Sequence, residues 1–164
     1  MLTSDRFFAK VDDVTKLPNG QFLHAVTVLS GKIKEGDQVL ASVDTEKRSA
    51  TAANHSATHL LFKALRDLLG SHVSQQGSQV TPDALRFDFN HFAPITDEQI
   101  LQLETMVRGM IRESYPTTTT ILTVDEAVAR GAIAEFGEKY GDRVRTVDLK
   151  YTLDLCGGTH VHDL

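Results

Sequence analysis

The chain has 164 residues and a mass of 18.1 kDa, and its 41% hydrophobic and 24% charged side chains exclude a disordered or collagen-like polymer. Apolar runs of a few residues fall far short of the ~20 that a spanning helix needs, and a single cysteine excludes an internal disulfide. Seventeen basic against 22 acidic side chains leave a net charge of -5, so no overall basic field draws nucleic acid, and any RNA contact must be local.

Residues 1–50 balance seven Lys/Arg against seven Asp/Glu, so the whole negative excess falls in the remainder, and the composition shifts near residue 48. In the first part, Pro18-Asn19-Gly20 is a turn signal between the strand-like Phe7 to Val14 and Phe22 to Leu29. A second turn at Glu35-Gly36-Asp37 precedes a third strand, Gln38 to Val43. Three short strands punctuated by glycine predict part of a small antiparallel barrel or sheet.

From Ala52 the apolar period changes to that of a helix: Ala57, Leu60, Leu61, Ala64, Leu65, Leu68 and Leu69 form one stripe. Gly70 is placed to end that helix, because glycine tolerates the left-handed backbone of a C-terminal cap. Leu85 to Phe89 alternates like a half-buried strand. Thr96 and Gln99 form a capping box for a second helix with Ile100, Leu103, Val107 and Ile111 on its apolar side, ended by Pro116. Thr117 to Val124 reads as a strand, Thr123 and Glu126 as the capping box of a short helix closed by Gly131, and Val144 to Leu149 as a further strand.

His55 and His59 lie four residues apart on the first long helix, so their side chains project about 40° apart, one turn above the other. With Ala57 at zero, the apolar stripe centres near about 25° and the histidines near about 160° and 200°, on the opposite face. Two solvated histidines are the ordinary reading of such a pair. Cys156 and His160 repeat the spacing in a segment that also holds Gly157 and Gly158, where a packed cysteine is the ordinary reading. Together the pairs supply one thiolate and three imidazoles, the donor set that closes a tetrahedral zinc site. A zinc-peptidase helix is excluded, because Ser56 stands where its general-base glutamate would follow the first histidine.

The runs Asn54-His55-Ser56-Ala57-Thr58-His59-Leu60-Leu61 and Leu155-Cys156-Gly157-Gly158-Thr159-His160 resemble the editing region of alanyl-tRNA synthetases. The likeness extends to Gly70 through Ser78, Leu85 through Phe89 and Ala134 through Tyr140, while Glu35-Gly36-Asp37 and Val43-Asp44 resemble the end of the β-barrel that precedes that region. Threonyl-tRNA synthetase editing domains typically carry Arg and Pro where this chain has Gly157-Gly158-Thr159. Free-standing deacylases usually begin with a Gly-rich strand that this chain lacks.

The resemblance implies an α+β fold: a partial small antiparallel β-barrel at 1–48, then a C-terminally truncated α/β editing domain at 49–164 with helices packed on a mostly antiparallel sheet. The Gly-rich stretch that family members place before the position of Asp5 is missing, and the family normally continues beyond His160. The sequence therefore reads as a piece of a longer, soluble, cytoplasmic synthetase.

The implied activity is hydrolysis of serine or glycine wrongly esterified to the acceptor end of tRNA(Ala), with Zn2+ on His55, His59, Cys156 and His160. ATP and Mg2+ would serve only the alanine-activating domain of the parent enzyme, whose remaining domains would be partners. Gln75 falls where family members use a glutamine near the substrate, and Thr58, beside a ligand on the same helix, would help shape the amino-acid pocket. Lys63, Arg66, Arg143 and Arg145 are candidate phosphate contacts, with an ordinary solvated role as the alternative. A non-catalytic, zinc-stabilised tRNA-binding module or a free-standing deacylase are the other functions compatible with these residues.

Overall fold

A computed structural model of the chain describes residues 1–133 and 141–164. The run Ala134 through Tyr140, which carries part of the resemblance, lies outside the described residues. The chain divides into two compact units, Met1–Thr45 and Glu46–Leu164.

The first unit is an open antiparallel sheet in the order β3-β2-β1-β4, built from β1 (Leu2–Ser4), β2 (Phe7–Lys16), β3 (Phe22–Gly31) and β4 (Leu40–Ala41). No closed barrel forms among the described residues, in keeping with a partial one. The Pro18-Asn19-Gly20 turn joins β2 to β3, with Gly20 at φ 85° and its N–H donating to the Leu17 carbonyl at 2.9 Å. The short β1 escaped the sequence reading, since three residues leave too little alternation to register.

The second unit opens with α1 (Thr45–Leu69), which begins seven residues before the apolar period does. Its first turn is polar, Thr45-Glu46-Lys47-Arg48, and so carries no stripe to detect. Gly70, at φ 119°, ends it and donates to the Arg66 carbonyl at 3.0 Å. The hairpin of β5 (Gln75–Val80) and β6 (Leu85–Phe89) follows, then α2 (Asp97–Arg112) behind the reciprocal Thr96/Gln99 capping box. The last sheet has the antiparallel order β7-β8-β9, from β7 (Thr118–Leu122), β8 (Val144–Asp148) and β9 (Leu153–Leu155). Between β7 and β8, the Thr123/Glu126 box starts α3 (Val124–Ala129).

Helix α1 is the spine of this unit because both of its faces are covered. Leu60, Ala64 and Leu65 are buried against Leu103, Val107 and Met110 of α2 and against Val73, Val147 and Leu149. On the side that carries the histidines, Ser56, Thr58 and Phe62 are also buried, and the Phe62 ring meets Phe87 of β6 at 5.3 Å. The buried stripe of α2 is Leu103, Met106, Val107 and Met110, whereas Ile100 and Ile111 are 46% and 41% exposed. At about 100° per residue the isoleucines lie about 70° (Ile100) and about 90° (Ile111) from the centre of that stripe, which is why they sit at its rim. The helix also ends at Arg112, ahead of Pro116, where Ser114 turns left-handed at φ 46°. Among the described residues no helix is long and apolar enough to cross a membrane.

Leu65 is 1% exposed within this core, so Leu65→Ala is expected to lower the unfolding free energy by about 2–5 kcal/mol. Ile111→Ala should lower it by no more than about 1 kcal/mol, both read from urea denaturation midpoints.

Candidate metal centre

One turn of α1 and one loop supply the centre. His55 and His59 leave the helix on the same side, and the chain leaving β9 at Leu155 runs through Cys156-Gly157-Gly158-Thr159-His160 directly against them. The metal-binding atoms of His55, His59, Cys156 and His160 all lie within 4.8 Å of one another. Cys156 Sγ is 3.5 Å from His55 Nε2 and 3.3 Å from His160 Nε2, and the Nε2 atoms of His55 and His59 are 3.4 Å apart. A tetrahedral ion with bonds of ~2.0 Å to nitrogen and ~2.3 Å to sulfur separates its ligands by about 3.3–3.6 Å, so the group can hold a metal ion.

The second nitrogen of every imidazole is engaged, and the acceptors facing His55 and His59 make Nδ1 the donor in both. His55 Nδ1–H donates to the Thr159 carbonyl at 3.0 Å, and His59 Nδ1–H donates to the Asp154 carboxylate at 3.2 Å. His160 Nδ1 meets Ser56 Oγ at 3.1 Å, and the same hydroxyl oxygen accepts the Val161 N–H at 3.2 Å. All three rings therefore turn Nε2 toward the common point, as a metal requires, with outer partners holding their orientation.

The loop is fixed from behind. Arg145 Nη1 donates to the carbonyls of Cys156 at 2.9 Å and Gly158 at 2.7 Å, and the Gly158 N–H donates to Cys156 Sγ at 3.4 Å. The two glycines play different parts: a Cβ on Gly157 would meet nothing within 4 Å, but one on Gly158 would stand 2.1 Å from His55 Cε1. Gly158 is glycine because an imidazole lies on its backbone.

Burial pushes the Cys156 thiol up, but hydrogen bonds from His160, His55, His59 and the Gly158 amide outweigh it and bring it down to about 3. Burial likewise disfavours a charged His59, yet the hydrogen bonds and negative charges of Asp154 and Cys156 raise it to about 9. Desolvation, with the neighbouring imidazoles His55 and His59, holds His160 below its usual range. The surroundings thus bias Cys156 toward its thiolate and His59 toward its charged form.

A cavity of about 260 Å³ opens on the group, with His55, His59 and Cys156 at its floor and Thr58, Phe62, Gln75, Ser78 and Phe87 on its walls. His160 is not among its lining residues. Thr58 is 4% exposed and donates its hydroxyl proton to the Asn54 carbonyl at 2.8 Å. Gln75 begins β5, and a register shift between Gln75 and Gly77 lies beside it.

The four basic residues singled out from sequence are dispersed. Lys63 pairs with Asp67, Arg66 donates to the Val73 carbonyl at 2.8 Å, and Arg143 donates to the Ile121 carbonyl at 3.2 Å. Arg145 is committed to the loop. Sequence reading missed Asp154, a carboxylate 5% exposed that also accepts the Thr152 hydroxyl at 2.9 Å. The available signal was an acid alternating with Leu153 and Leu155 on a short strand. Ser56, 2% exposed, stood in the sequence only as the residue in place of a zinc-peptidase glutamate, and its pairing with His160 was not foreseen.

These features define an α+β module with a three-histidine, one-cysteine group, three members of which line a small cavity. No family model matches the chain. It is 49% identical to the alanine–tRNA ligase of Listeria monocytogenes over 163 residues, covering 99% of this chain and 18% of that protein. It is 51% identical to that of Geobacillus thermodenitrificans over 154 residues and 44% identical to that of Rhizobium johnstonii over 172, covering 93% and 98% of this chain and 18% and 20% of those proteins. The chain therefore belongs to the alanyl-tRNA synthetase family, and it spans about 18% of the length of the curated relatives it matches.

Gly158→Ala is expected to weaken metal binding at least about tenfold, because His55 must swing off the added methyl. Titration with a divalent-metal indicator reads the loss, and an unchanged far-ultraviolet circular dichroism spectrum separates it from unfolding.

Proposed function

We propose that the cavity hydrolyses the ester joining a wrongly attached serine or glycine to the acceptor end of tRNA(Ala), with zinc held by His55, His59, Cys156 and His160. One observation carries this reading: His55, His59 and Cys156 of the His3Cys group line a cavity together with Thr58 and Gln75, in a chain about half identical to alanine–tRNA ligases. An activation pocket that accepts alanine cannot strongly reject a residue that adds only a hydroxyl, nor exclude the smaller glycine, so a second site must test the product.

The residues of the chain divide the task. Thr58 Oγ1 gives its proton to Asn54 and keeps lone pairs free, so it accepts the hydroxyl of a bound serine. Alanine puts a methyl against that oxygen and leaves it without a partner, which penalises the correct product, whereas glycine places no side chain there and leaves room for water. The Gln75 side-chain amide hydrogen-bonds the aminoacyl group and orients the ester. Phe62 and Phe87 give the cavity an apolar wall. Zinc, when bound, polarises the ester carbonyl or orients the aminoacyl end.

Asp154 fixes His59 through Nδ1, and Arg145 holds the carbonyls on either side of Gly157, so the ligands keep their places as substrate enters. The whole enzyme ligates alanine to tRNA with ATP and Mg2+ in other domains, which are partners of this segment along with tRNA(Ala), and it acts in the cytoplasm. A non-catalytic, zinc-stabilised tRNA-binding module is the second reading, favoured by the four protein donors, which already complete a tetrahedron.

Purified chain incubated with seryl-, glycyl- and alanyl-tRNA(Ala) should release serine and glycine and spare alanine. Binding of all three without release would establish the second reading instead. Cys156→Ala should lower zinc below one per chain by atomic absorption and abolish release. Unchanged zinc stoichiometry would remove the shared site.

A further inference from the structure

Outside the metal cavity, two loops bring three aromatic rings together. His72 Nε2 and His91 Nδ1 are 2.9 Å apart with ring planes within 21°, so the imidazoles lie edge to edge as one flat surface. The Phe92 ring lies over His72 at 4.5 Å and 25°, yet the residue is 86% exposed. The loops beneath are braced. Asn90 Nδ2 donates to the His72 carbonyl at 3.1 Å, while Asn90 Oδ1 accepts the Ser74 N–H at 2.7 Å and the Ser74 hydroxyl at 2.8 Å.

A phenylalanine that filled a core would be buried, and one loose in solvent would not be aligned on a second ring. Phe92 is aligned and open, with its loop tied to that of His72.

We infer that the His72/His91/Phe92 cluster is a stacking platform for an unpaired RNA base. Every nucleobase has a π face, and an exposed aromatic ring captures it without reading its sequence. Position supports this occupant. The register pairs Gln75 with Phe89, so His72 and His91 lie just beyond the end of the β5–β6 hairpin that carries Gln75, a residue of the metal cavity. Under the function proposed above, an RNA end entering beside Gln75 would bring its single-stranded nucleotides to that end of the hairpin. The inference takes its RNA from the function proposed above but not its chemistry, and the overall charge of -5 makes stacking a more suitable anchor here than a broad basic surface.

The test uses the full chain and an uncharged RNA hairpin with a single-stranded 3′ overhang in which 2-aminopurine replaces an unpaired adenine. Binding should quench the fluorophore. Phe92→Ala should remove the quench and weaken binding ~5- to 10-fold, Phe92→Tyr should retain both, and Phe92→Leu should behave as Phe92→Ala. Undiminished quench and affinity in Phe92→Ala, or full retention in Phe92→Leu, would overturn the platform. So would a self-association of the chain, seen by sedimentation, that Phe92→Ala abolishes. The RNA carries no aminoacyl ester, so this readout is separate from failure of the hydrolysis experiment.

Discussion

The second unit is organised around the contact of the His55 ring with the backbone of Gly158, closed by the hydrogen bond from His55 Nδ1 to the Thr159 carbonyl. That contact joins a long helix to a loop about a hundred residues later in the chain. Two further ties repeat it one residue and one turn along: Ser56 with His160 and Val161, and His59 with Asp154. The helix is held at this depth by Leu60, Ala64 and Leu65 on its other side. Packing of an ordinary apolar stripe thus sets the height at which the histidines meet the loop.

Polar groups gathered at a partly buried place are tolerated because nearly all are paired. Asp154 has Thr152 and His59, Ser56 has two partners, and Arg145 spans two carbonyls. The charges alternate as well, with the Asp154 carboxylate and the Cys156 thiolate on either side of His59. Removing one member leaves its neighbour desolvated and alone, so the group behaves as a unit rather than as separate ligands.

Much of this was legible in the chain. The period of the leucines gave α1, both Thr-x-x-Glu/Gln boxes formed as read, and the α+β class with antiparallel sheets is the one observed. The i, i+4 spacing of His55 and His59 and of Cys156 and His160 pointed to a group that the fold does bring together. What stayed hidden was non-local. Nothing in the helix period says that a second surface covers the histidine side of α1, so the burial of Thr58 and Phe62 is not read from it. Arg145 looked like a solvent-facing cation on an alternating strand, and only the return of the chain through Cys156 and Gly158 gives it carbonyls to bind. His72 and His91, nineteen residues apart, had no periodicity to connect them because a hairpin does so instead.

The amide of Gly158 points at the Cys156 sulfur while Arg145 grips the carbonyls on both sides of the intervening glycine. The loop is thereby held in shape from behind by a guanidinium outside the group of four, so an ion bound there would demand little further ordering of the chain.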